Sequence, residues 1–156
     1  MNSVPVTPQE VARTFVTALL LTGSTQRAEA AVLETIEATS LREMSAGTLL
    51  EGTVSASLAG QIAGHQIDLG DPAISSLPVE LRNVLNLPAE CRRCFVLRVL
   101  LGLPHEVTAR MLQTGTSQID ELLSIATRTL TLPPNVTTRY ERPTAKPQTA
   151  RTCAIP

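Results

Sequence analysis

Apolar residues recur every three or four positions along most of this chain, and no segment keeps the alternating pattern of a strand for long. Helical spacing of this kind puts apolar side chains on one face of an α-helix. It predicts helices over residues 8–21, 26–41, 46–63 and 77–86, and a group of shorter helices over residues 87–130. We therefore expect an all-α fold.

Local signals predict where several of these helices begin. Thr7 precedes Pro8, and Glu10 stands at the third position of a capping box, in which the N-cap and third residues bond reciprocally. Pro88 and Pro104 each suit the first turn of a helix, because the N–H that proline lacks would have no partner there.

Residues 87–130 predict three helices in succession. Gly102 ends the first, and Thr114-Gly115-Thr116 separates the second from a last helix over residues 117–130. Glycine accepts turn conformations that other residues avoid, and threonine hydroxyls can cap helices. Two helices joined by a short glycine turn form the outline of a helix-turn-helix, whose second helix enters the major groove of DNA.

Several residues of this segment keep the order of a known family: Leu87-Pro88, Arg92-Arg93, Phe95, Leu97-Arg98, Gly102-Leu103, Ala109 and Leu112. They resemble the C-terminal promoter-reading domain of extracytoplasmic-function sigma factors of RNA polymerase. The N-terminal half is similar to the core-binding helices of the same family, at Phe15, Leu19, Thr22-Gly23, Ala28-Glu29 and Glu34.

The resemblance implies two small helical domains. A degenerate sigma region 2-like domain is expected over residues 1–64, a linker over 65–76, and a sigma region 4-like helix-turn-helix domain without a wing over 77–131. Residues 132–156 contain five of the 11 prolines and no apolar periodicity, which predicts a disordered tail.

The resemblance also implies a function in transcription initiation or its regulation, with core RNA polymerase as a partner and promoter DNA as a second one. Arginines would neutralise phosphates, and the polar start of the last helix would meet the bases. The residues expected to contact DNA are Arg92, Arg93, Arg110, Thr116, Ser117, Gln118 and Arg128.

Charge at the last helix points the other way. Asp120, Leu122, Ile125 and Thr127 stand where the family tends to have basic residues, and the helix has a net charge of −1. The alternative hypothesis is therefore a sigma-like protein-interaction module that no longer binds DNA. In that case Leu122 and Ile125, which lie off the apolar stripe of the helix, would be exposed and bind a partner.

Composition adds to this conflict. Residues 1–130 hold nine arginines and 13 acidic residues, a balance of −4, whereas residues 131–156 hold four basic residues and Glu141, a balance of +3. An acidic body is unusual for a DNA-binding protein. Residues 36–64 contain no aromatic side chain on which a flipped base would stack, which argues against promoter melting.

Other chemistry is sparse. Cys91 and Cys94 have the C-x-x-C spacing of zinc and redox sites, but His65, His105 and Cys153 show no matching ligand spacing, so a core role is favoured. We expect no catalytic residue, no metal site and no cofactor. The sequence shows no signal peptide or membrane span, and we expect a cytoplasmic protein that is not an enzyme.

Overall fold

A computed structural model of the chain describes residues 6–39, 45–59, 67 and 71–132. Within these residues all regular structure is helical, which confirms the all-α prediction. The predicted tail beyond Leu132, most of the predicted linker, His65 and Cys153 lie outside the described residues. None of the helices described is long and apolar enough to cross a membrane.

The N-terminal half is a bundle of three helices, α1 (Pro8–Thr22), α2 (Thr25–Ala38) and α3 (Ala46–Ala59), each packed against the other two. Gly52 brings α3 close to α2, because a Cβ at this position would lie 2.4 Å from Thr35 Cγ2. The hydroxyl of Thr53 donates to that of Thr35 at 3.3 Å across the same contact.

Helix α1 has the ends that its sequence predicts. The Thr7 hydroxyl accepts the Glu10 N–H at 3.3 Å, and the Glu10 carboxylate accepts the Thr7 N–H at 2.9 Å, which completes the capping box. Gly23 ends the helix with φ +70°, and its N–H bonds Leu19 O at 2.8 Å. This left-handed conformation costs glycine little.

The second half contains four short α-helices and one of 16 residues. They are α4 (Pro72–Ser75), α5 (Val79–Leu85), α6 (Ala89–Phe95), α7 (His105–Met111) and α8 (Thr116–Thr131). Helix α6 continues into a π turn over Val96–Leu100, where the Leu101 N–H bonds Val96 O at 2.9 Å. Gly102, at φ +66°, ends this segment as predicted.

Apolar side chains from both halves pack into one hydrophobic core. Leu19 and Leu21 of α1 belong to it together with Leu85, Leu97 and Ala126, and all five are inaccessible to solvent. The expected division at residues 65–76 therefore separates two sets of helices that share a buried cluster. The domain boundaries themselves stay a prediction.

Candidate nucleic-acid and partner interface

Helices α7 and α8 are joined by a tight turn over residues 112–115 and pack on α6. Ile119 and Ala126 bury the inner face of α8, and the Cys94 thiol donates to Ile119 O at 3.6 Å. His105 Nε2 lies 2.7 Å from Asp120 Oδ1, which links the start of α7 to α8. Sequence reasoning missed this pair, because 15 residues separate its members.

The polar end of α8 is open to solvent. Thr116, Ser117 and Gln118 are exposed, as are Arg110 on α7 and Arg128 near the end of α8. Gly115 is the N-cap, and no side chain caps the helix, so the expected threonine cap does not form. These five residues remain candidates for contact with DNA.

Electrostatics at this surface are unfavourable for a phosphate backbone. Asp120 and Glu121 are both exposed on α8 and outnumber Arg128. Eight residues separate Asp120 from Arg128, about 12 Å along the helix axis, so the arginine sits beyond one Debye length at physiological salt. Exposed carboxylates therefore outnumber exposed arginines on α8.

Arg92 lies inside the protein, which corrects the expectation that it contacts phosphates. It is 6% exposed, and its Nη1 donates to Leu85 O at 3.0 Å and Leu87 O at 3.4 Å, at the end of α5. Its guanidinium also packs against Gly23, where a Cβ would lie 2.8 Å from Nη2. Burial, and then the charge of Arg93, lower the pKa of this guanidinium.

The same correction applies to Arg93. It is 9% exposed, and its Nε donates to Leu21 O at 3.5 Å, at the last turn of α1. Burial is the main cause that lowers its pKa, and the nearby charge of Arg27 adds to it. The two arginines thus hold α6 against the carbonyl ends of α5 and α1, where helix dipoles favour positive charge.

The two apolar residues expected to be exposed on α8 behave differently. Ile125 is 40% exposed, as predicted. Leu122 is half-buried and packs against the core, so its predicted exposure is wrong. It lines a cavity together with Leu58 of α3 and with Glu90 and Arg93 of α6, a proximity that helical spacing within α8 does not reveal.

A larger apolar surface lies on the N-terminal half. Helices α1 and α2 form an open groove of about 540 Å³, lined by Val11, Phe15, Val32 and Leu33 among others. Leu33 is 58% exposed, the most of any large apolar side chain described. Sequence reasoning missed this groove, although Leu33 stands between Val32 and Glu34 on the outer side of an amphipathic helix.

Both cysteines of the C-x-x-C sequence are core residues with free thiols, as predicted. Burial is the main cause that raises the pKa of Cys94 to about 11, and it also raises that of Cys91. Among the described residues no group of histidine, cysteine and acidic side chains is arranged to hold a metal ion.

Comparisons with models of protein families, with curated proteins and with solved structures find no match to this chain.

Proposed function

We propose that this chain is a sigma-like regulator of transcription that acts mainly by binding core RNA polymerase and binds DNA only weakly. It would act in the cytoplasm and without catalysis. One observation carries this proposal: Arg92 and Arg93, which should bind phosphates, are instead internal supports of the fold.

The order of helices supports the sigma-like assignment. A three-helix bundle precedes short helices, and α7, a four-residue turn and α8 follow in the chain order expected of a helix-turn-helix. The inner residues that such a unit needs, Ile119 and Ala126, are buried.

The loss of phosphate contacts supports a low affinity for DNA. Besides the two buried arginines, Arg98 donates from Nη1 to Leu103 O and is half-buried. Only Arg110 and Arg128 remain exposed among the basic residues of α6, the π turn, α7 and α8. Two phosphate contacts supply little of the affinity that a promoter reader requires.

The α1/α2 groove supports protein binding. Apolar grooves between two helices accept an amphipathic helix of a partner, whose apolar side chains fill the groove. Glu29 lines this groove and Glu34 is exposed next to Leu33, so basic residues on the partner would complement the rim. We assign this groove to the polymerase contact.

Fluorescence anisotropy with a promoter duplex and a random duplex across a salt series tests the DNA part. We expect little discrimination between the duplexes, because Arg110 and Arg128 of α7 and α8 account for a slope of log affinity against log salt of only about −2. The four basic residues after residue 131 would steepen the slope for both duplexes alike. A slope of about −6 together with preference for the promoter would contradict the proposal that DNA binding is weak.

Co-purification with bacterial core RNA polymerase tests the protein part. Leu33→Glu places a charge in the groove and should abolish binding. Val79→Glu is the matched control, because Val79 on α5 is 53% exposed and lies outside the groove. The proposal fails if the wild-type chain does not bind the polymerase, or if both variants bind equally well.

A further inference from the structure

A second cavity lies where the two halves of the molecule meet. Its volume is about 430 Å³, within the range of small-molecule sites. Three separate parts of the chain form its walls: the last turn of α3, helix α6, and the α7–α8 turn with the start of α8. Apolar, charged and amide side chains all line it, among them Leu58, Glu90, Arg93, Gln113, Gln118 and Leu122.

The wall formed by α6 contributes a buried positive charge to this cleft. Arg93 is 91% buried there, so its charge is screened less than that of an exposed arginine. Arg27 lies close enough that its charge, positive like that of Arg93, lowers the pKa of Arg93. Glu90 also lines the cleft, but it is exposed, so solvent and salt screen its carboxylate.

The opposite wall contains hydrogen-bonding groups held in place by an unusual backbone. Gln113 has φ +53°, the one positive φ at a non-glycine residue among those described. Glycine is the low-cost residue after a helix end, so glutamine here retains a side chain at the expense of backbone strain. The Thr114 hydroxyl donates to Gln118 Oε1 beside it.

The remaining walls are apolar. Leu58 of α3 and Leu122 of α8 face the cleft, together with Met111 and Leu112 of α7 and the turn. We propose that this cleft binds a small amphiphile, with a carboxylate or phosphate headgroup near Arg93 and Gln113 and an apolar body between Leu58 and Leu122.

Titration with four probes of equal chain length tests the proposal. Octanoate and octyl phosphate distinguish the two headgroups, whereas octanol and octylammonium keep the apolar body without the negative charge. The chain contains no tryptophan, so Ala59→Trp, at the exposed edge of the cleft, gives a fluorescence signal specific to this place. Calorimetry of the wild-type chain gives the affinities.

We expect saturable binding of at least one anionic probe. The affinities for octanol and octylammonium should be lower by about tenfold or more. Gln113→Gly should weaken binding about fivefold, because it removes the amide side chain. This variant should keep the fold, because glycine relieves the backbone strain at this position. Arg93→Gln should weaken binding about tenfold, and Arg128→Gln, an exposed arginine elsewhere, should have no effect.

Equal binding of octanol and octanoate, absence of saturable binding, or unchanged affinity in the Gln113→Gly variant would overturn the proposal. None of these outcomes depends on binding to polymerase or DNA. A failure of the ligand site is therefore distinguishable from a failure of the proposed function.

Discussion

Arg92 and Arg93 are neighbours in the sequence, but their side chains leave helix α6 about 100° apart. One therefore reaches the end of α5 while the other reaches the end of α1. Each guanidinium meets backbone carbonyls that a helix end leaves without intrahelical partners. A motif that resembles a DNA-binding pair is in this chain a pair of internal hydrogen-bond donors.

Cys94 shows the opposite case, in which the residue type alone predicts its place. Free cysteine is among the residues most often buried, and Cys94 is inaccessible to solvent. Its thiol must remain protonated to stay in this apolar site, so its titration is tied to folding.

Raising the pH should therefore destabilise the protein. Burial raises the pKa of Cys94 from 9.0 to about 11, so the unfolded chain releases this proton at lower pH than the folded one. Stability is fully present below about pH 9 and falls as the pH rises toward 11. We expect a loss of about 1–2 kcal/mol between about pH 8 and about pH 10.5 in denaturant unfolding.

The Cys94→Ala variant is the control for this pH dependence. It lacks the titrating thiol, so its unfolding free energy should depend less on pH over the same interval. Cys91, whose pKa is also raised, supplies a residual slope. Equal slopes for the variant and the wild type would show that Cys94 does not link folding to pH.

At the scale of elements, the sequence predicts most helix positions because the signals are local. Thr7, Pro8 and Glu10 act within one turn, and α1 begins and ends within one residue of its prediction. The π turn at Val96–Leu100 was not foreseen, because it changes the hydrogen-bond step without breaking the apolar pattern. The sequence thus predicts where helices lie along the chain better than it predicts how they pack.

Two glycines of α3 should respond in opposite ways to alanine. At Gly52 a Cβ would lie 2.4 Å from the buried Thr35 side chain, so Gly52→Ala should destabilise the bundle by about 1–3 kcal/mol. At Gly47 the nearest atom is Ser45 Oγ at 3.8 Å, so Gly47→Ala should stabilise by about 0.5 kcal/mol.

Thermal unfolding of both variants, followed by circular dichroism, checks this pair. Both substitutions add the same methyl group to the same helix, so they differ only in surroundings. If the two melting temperatures shift in the same direction, the close approach of α3 to α2 is not as the structure has it.

At the scale of the molecule, the two halves are joined by a common core and by the arginine bonds to helix ends. Leu21 and Arg93, which are 72 residues apart, meet at this junction. The carbonyls of Leu85 and Leu87 depend on Arg92 in the same region. We therefore expect the halves to unfold together.

Arg92→Ala should lower the free energy of unfolding by about 2 kcal/mol, since it leaves buried carbonyls without a donor. Hydrogen exchange should report the loss in α1 and in α8 alike, because both contribute to the shared core. Arg128→Ala, at an exposed site, should change stability by less than about 0.5 kcal/mol.

Loss of protection confined to the helices after residue 71 would contradict this coupling. So would two separate unfolding transitions in the wild-type chain. Either result would favour two independently folding domains at the boundaries that the sequence predicts.

The sequence by itself determined the helical class, the ends of α1, the burial of the two cysteines and the acidic balance of residues 1–130. Those properties depend on residue type and on neighbours within a turn or two. Only the tertiary structure decided that Arg92 and Arg93 lie inside, that Leu122 is half-buried, and that a cleft and an apolar groove form. Burial depends on contacts between segments far apart in the chain, and helical spacing carries no information about them.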